Sequence, residues 1–176
     1  MIKVIAFDLV GVLVREKDIE MTNIEEQIER LFGPNMSDSE YLEKAKDIYF
    51  GDIISITKDL VNKLYEVKDR NLLDNVKKTF PNIKIVIATN HVSFIRDFIE
   101  KEFIVDDIII SSEINMIKPD SCFYNYLLDK YKIEASELLF LDDNGDNIDG
   151  AKNIGINTIK VDKNMSLFNE ILHKIK

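Results

Sequence analysis

Apolar residues gather along this chain in two rhythms. Five short runs, several rich in β-branched residues, interrupt stretches where apolar side chains recur every three or four positions. The first run, Ile2–Phe7, is too short to cross a membrane and reads as a buried strand. Ile83–Ala88, Asp107–Ile110, Leu138–Leu141 and Ile156–Val161 read the same way. Between them the helical spacing predicts single helices. Leu72, Leu73, Val76 and Phe80 mark one, broken at Pro81-Asn82, and Phe94, Ile95, Phe98 and Ile99 mark the next. Phe123, Tyr124, Leu127, Leu128 and Tyr131 follow Lys118-Pro119-Asp120, which reads as a helix start with proline at the first helical position. Ile148, Ala151 and Ile154 form a stripe stopped by Gly155, and Leu167–Ile175 is the closing helix. Strands alternating with single helices predict βαβ units with right-handed crossovers. The expected fold class is therefore α/β, a parallel five-stranded sheet with helices on both faces.

Residues 16–68 break that alternation with helices alone. Thr22 and Glu25 have capping-box spacing ahead of Ile24, Ile28 and Leu31, and Gly33-Pro34 should end that helix. Ser37 and Glu40 repeat the device ahead of Tyr41, Leu42, Ala45, Ile48 and Tyr49. A third helix should run from Asp52 through Ile53, Ile56, Leu60, Val61 and Leu64. A stripe of tyrosine and isoleucine at this spacing reads as local core rather than a cofactor box. The expected organisation is a core of residues 1–15 and 69–176 with an all-helical insert at 16–68.

Composition narrows the class without changing the picture. The 176 residues are 45% apolar and 31% charged, which suits one folded α/β unit and not a disordered chain. Net charge is −9 and no basic block is present, which argues against nucleic acid or an anionic membrane surface as the main partner. Any phosphate must then be met by a small local patch of positive charge or by a metal. The single cysteine, Cys122, excludes an internal disulfide and is expected to pack at a helix start. With no signal pattern and no membrane-length apolar run, the expected location is cytoplasmic.

Chemistry gathers where the predicted strands end. Asp8 follows the first strand, with Gly11 as turn residue three positions on. The second strand delivers Thr89 and Asn90, and the fourth delivers Asp142 and Asp143. Each of these reads equally as an ordinary turn or helix cap. Lys118 is harder to read that way, because a lysine at a helix N-terminus opposes the dipole and calls for a negative partner. As a set they are coherent. Asp8 and Asp143 can hold a hard cation such as Mg²⁺, and that cation with Lys118 can neutralise a phosphoryl group. Thr89 and Asn90 can hydrogen-bond its oxygens, which leaves Asp8 to attack phosphorus.

The order FDLVGVL, IVIATN, IKPD and LLFLDDNGDNIDGAKNIGI resembles the four motifs of the haloacid dehalogenase superfamily, whose members are mostly Mg²⁺-dependent phosphatases. The last motif and the helical insert are similar to those of sugar-phosphate phosphatases and of the N-terminal phosphatase domain of soluble epoxide hydrolases. The resemblance implies a Rossmann-like core, Asp8 as nucleophile, Thr89 and Lys118 as phosphate binders, and Asp143 with the Val10 carbonyl as further metal ligands. It also implies that the insert is a cap selecting a small phosphorylated metabolite. Asp142 is an auxiliary candidate. The chain departs from the family at Val10, where phosphatases carry the aspartate that protonates the leaving oxygen and then activates water. General acid–base catalysis contributes about 10²–10⁴-fold, so its loss should slow but not abolish turnover. His91 is a candidate substitute, weighed against an exposed histidine in a helix's first turn, while His173 suits the end of the last helix. Asn115 and Ser121 depart from the third motif without removing a functional group. Alternative readings are an inactive relative that binds a phosphorylated ligand or protein partner, and a haloacid dehalogenase. The paired Asp142-Asp143 argues against the last, whose chemistry uses no metal.

Overall fold

A computed structural model describes residues 1–33 and 36–175. Its centre is a sheet of β1 (Val4–Phe7), β4 (Lys84–Thr89), β5 (Asp107–Ile110), β6 (Leu138–Asp142) and β7 (Asn157–Lys160). The order across the sheet is β5-β4-β1-β6-β7, and every neighbouring pair is parallel. Register fixes the chemistry. Phe7 lies opposite Ile87 and Leu141, so Asp8, Thr89 and Asp142 all emerge at one carboxyl edge.

Strand alternation sends successive side chains to opposite faces. Ile5, Phe7, Ile85, Ile87, Leu139 and Leu141 form one face, covered by α4 (Leu72–Thr79), α5 (Arg96–Glu102) and α9 (Leu167–Ile175). Val4, Ala6, Val86, Ala88, Leu138 and Phe140 form the other, against α7 (Ser121–Tyr131) and α8 (Gly145–Asn153). The predicted α/β sheet with helices on both faces is what the chain forms, and each of the five strands lies within a residue or two of its apolar run. A short α6 (Ser111–Ile114) follows β5 and ends at Asn115 in the left-handed conformation.

After β1 the chain turns through Gly11, at φ +86°, and returns as β2 (Val14–Glu16). Three helices follow, α1 (Asn23–Glu29), α2 (Asp38–Ile48) and α3 (Ile53–Leu64). Both capping boxes are formed, and Asp52 caps α3 through Ser55. Pro34, half of the expected stop after α1, lies outside the described residues. Ile28, Phe32, Tyr41, Ala45 and Leu60 of this insert share one apolar core with Ile5 and Phe7 of the sheet. Inside it the Tyr41 and Thr57 hydroxyls bond to each other.

The chain comes back through β3 (Tyr65–Val67), which pairs antiparallel with β2 as a two-stranded ribbon at the root of the insert. Sequence periodicity does not reveal this ribbon, since two three-residue strands are too short to show a period. Two other expectations are corrected. Pro119 lies outside α7, which begins at Ser121 after Asp120, and Cys122 is exposed rather than packed. Among the described residues no helix is long and apolar enough to cross a membrane.

Candidate active site

The carboxyl edge of β1 and β6 holds a buried charge cluster. Lys118 turns its side chain into the protein, 2% exposed, and its ammonium donates to Asp8 Oδ1 at 2.8 Å and to Asp142 Oδ2 at 2.8 Å. A third bond runs to the Ala88 carbonyl at 3.0 Å. The negative partner that the helix dipole called for is thus a pair of carboxylates. Asp142 is spoken for on both oxygens, accepting also from the Asn144 backbone at 2.8 Å and from Asn147 Nδ2 at 3.0 Å. Asp143 instead faces solvent, and Asp8, Asp142 and Asp143 can bring one oxygen each within 4.8 Å of one another. Gly11 makes that approach possible, because a β-carbon there would collide with the Asp143 carboxylate.

The electrostatics follow from burial. Removal from water pushes Asp8 up to about 6, although Lys118 pulls it down, and Asp142 adds to the rise. Burial opposes the Lys118 charge, but Asp8 and Asp142 outweigh it and hold the ammonium above its ordinary value. Asp143, exposed on one side, is raised by its partial removal from water and then by Asp142. The cluster of three carboxylates and one ammonium therefore carries an excess of negative charge and offers hard oxygen donors. That donor set suits a divalent cation such as Mg²⁺.

Residues 5–161 match the sequence model of the haloacid dehalogenase-like hydrolases. The chain belongs to that family. Bifunctional epoxide hydrolase 2 of Mus musculus is 41% identical over 66 residues, 38% of this chain and 12% of the relative. Acyl-CoA dehydrogenase family member 10 of Mus musculus is 33% identical over 84 residues, 46% of this chain and 8% of the relative. The chain thus matches a small part of the length of these curated relatives. Among solved structures, a predicted haloacid dehalogenase-like hydrolase of Porphyromonas gingivalis superposes with TM-score 0.76 at 19% identity, covering 98% of this chain and 97% of that one. A family enzyme of Bacteroides thetaiotaomicron, in complex with magnesium and inorganic phosphate, gives 0.73 at 16% identity, covering 97% and 99%. At such identities these likenesses speak to the fold.

Within this hydrolase fold the strand-end residues after β4 take particular partners. The Asn90 side chain is engaged by the Lys118 backbone. Its Nδ2 donates to the Lys118 carbonyl at 2.9 Å and its Oδ1 accepts from the Lys118 backbone at 3.0 Å, so it fixes the segment that carries the lysine. Thr89 closes β4, buried at the same edge. His91 is neither an exposed histidine nor a free base. Its ring is buried, 4.9 Å from that of Phe32 and edge-on to Tyr65. Nδ1 donates to the Val92 carbonyl at 3.2 Å, so Nε2 accepts from the Tyr65 hydroxyl at 3.3 Å.

Burial holds His91 neutral and pushes it down to about 4 from an ordinary 6.5. The unfolded chain therefore binds the proton more tightly, and stability present above pH 6.5 is lost as pH falls toward 4. The lost stability amounts to at most about 3 kcal/mol. Thermal unfolding between pH 7 and pH 4.5 should show it, with a flatter slope in His91→Phe than in wild type. Equal slopes in the two proteins would refute this assignment.

Sequence reasoning passed over the rim. A cleft of about 900 Å³ opens beside Val10, Gly11 and Asp143, with Arg15, Lys68 and Lys163 also lining it. These cations come from the ribbon, the return from the insert and the loop after β7, three places with no common spacing. Only the fold brings them together.

Proposed function

We propose that this hydrolase is a Mg²⁺-dependent phosphomonoesterase that works through an aspartyl-phosphate on Asp8. One observation carries the reading. The Lys118 ammonium stands 2.8 Å from Asp8 at a strand end, beside a carboxylate cluster that can take a cation. Asp8, Asp143 and the Val10 carbonyl would hold Mg²⁺, which when bound supplies charge neutralisation for the phosphoryl oxygens. Lys118 would add a second positive charge beside Asp8, and Thr89 offers a hydroxyl from the neighbouring strand. Asn90 and Asp142 keep the lysine in place. The Bacteroides enzyme's magnesium and phosphate support the same ligand pair here.

We take residues 1–15 and 69–176 as the catalytic core and 16–68 as a cap, hinged at the β2–β3 ribbon, that selects a small phosphorylated metabolite. The test is hydrolysis of p-nitrophenyl phosphate with Mg²⁺ and after chelation by EDTA. Slow turnover that EDTA removes and Mg²⁺ restores is expected. No turnover under either condition would sink the phosphatase reading. Val10 favours a second reading, an inactive relative that binds phosphate. That reading predicts saturable inorganic phosphate binding without hydrolysis.

A further inference from the structure

A valine at position 10 leaves this site without the family's proton donor, and His91 is locked away in a buried hydrogen-bond chain. Lys68 is a cation that the fold brings beside position 10. It sits one position past β3, where the return from the insert is pinned by its own backbone N–H to the Leu13 carbonyl at 2.9 Å. From there its ammonium donates to the Gly11 carbonyl at 2.7 Å, one residue beyond Val10. It lines the same cleft as Val10 and Asp143, and its charge is felt at Asp143. Its bonded partner is a neutral carbonyl, and among the described residues no carboxylate closes on it as an ion pair. An ammonium has three N–H donors, so two remain for the cleft.

We propose that Lys68 is the proton donor to the leaving group, the task Val10 is unable to perform. This rests on the phosphatase reading. An Asp8 oxygen bonds to phosphorus, and the bond from phosphorus to the leaving oxygen breaks with its electron pair moving to that oxygen. Lys68 Nζ gives that oxygen one proton, so an alcohol departs and the amine is left neutral. Water then attacks the phosphorus of the aspartyl-phosphate. Its oxygen forms the new bond as the bond from phosphorus to the Asp8 oxygen breaks with its electron pair returning to the carboxylate, its proton passes to Nζ, and inorganic phosphate is released. The lysine ends as it began.

Leaving-group dependence separates this role from a structural one, because a nitrophenolate departs without a proton and an alkoxide does not. Wild type, Lys68→Met and Lys68→Arg are compared, with Mg²⁺, on p-nitrophenyl phosphate and on glycerol phosphate. In Lys68→Met, kcat/KM for glycerol phosphate should fall about 10²-fold or more, and for the nitrophenyl ester by less than about 5-fold. Lys68→Arg keeps the charge and a donor toward Gly11 but does not give up a proton, so it should show the same split. Rescue of glycerol phosphate turnover by Lys68→Arg overturns the proposal in favour of charge alone. An equal loss on both esters overturns it in favour of loop positioning, and no loss overturns it outright. Wild-type turnover of the nitrophenyl ester alone overturns the Lys68 role and leaves the phosphatase reading standing. No wild-type turnover of either ester overturns both.

Discussion

Asp8→Asn loses Mg²⁺-dependent hydrolysis of p-nitrophenyl phosphate by about 10³-fold or more while the protein stays folded. The size follows from the role. An amide oxygen is a poor nucleophile toward phosphorus, and removing a covalent nucleophile is among the costliest single changes an active site can suffer. Survival of the fold follows from the electrostatics. Asp8 lies at about 6, above its unfolded value of 3.8, even with Lys118 in contact. Folding therefore favours the protonated acid, and the stability that preference gives is fully present below pH 3.8 and lost as pH rises through about 6. At pH 7 the buried Asp8 charge has Asp142 as its like-charged neighbour, and against that stands the Lys118 ammonium that Asp8 and Asp142 together hold. Asparagine has the same shape, still offers Oδ1 to Lys118, and carries no charge. Its melting temperature at pH 7 should stay near that of wild type, because Lys118 keeps Asp142 as a charged partner. Activity retained within about tenfold would remove Asp8 from the nucleophile's place. A collapsed melting temperature would show instead that the Lys118 charge needs both carboxylates to stay buried.

How much of this was legible before the fold was known differs residue by residue. Asp8, Thr89 and Asp142 could be read because each follows a buried apolar run, and parallel strands in register deliver their ends to one edge. Lys118 could be read as anomalous, since its position opposed the helix dipole. Its partners could be guessed as negative, though not as a pair. The Asn90 bonds to the Lys118 backbone could not be read. A strand-end asparagine serves a ligand or a neighbouring loop equally well, and the choice depends on where the Lys118 backbone lies. His91 failed for a related reason. Its burial comes from Phe32 and Tyr65, residues of the insert and the return strand, and no local pattern shows that they close over it. Lys68 left no trace at all, because a lone lysine after a short strand resembles any solvated one until its ammonium is seen at Gly11.

Val10→Asp tests the same edge from the opposite direction, by addition. In the Lys68→Met background it should raise glycerol phosphate turnover about 10²–10⁴-fold, the ordinary contribution of a placed general acid. In the wild-type background the gain should be smaller, because Lys68 already supplies part of what the aspartate brings. Two groups serving one proton transfer are not additive, and the difference between the two gains measures their overlap. Position 10 can receive the new side chain because Val10 is only half-buried, at the cleft that Lys68 and Asp143 also line. Its neighbour Gly11 has no such freedom, for any side chain there would meet Asp143. The substitution also places a fourth carboxylate beside Asp8, Asp142 and Asp143, so stability without metal should fall, on the order of 1 kcal/mol. Mg²⁺ should restore most of that loss, visible as a larger Mg²⁺-induced rise in melting temperature than in wild type. A gain in activity on glycerol phosphate but none on the nitrophenyl ester would tie the missing function to proton donation. Equal gains on both esters would place it elsewhere, in the hydrolysis of the aspartyl-phosphate that the two esters share.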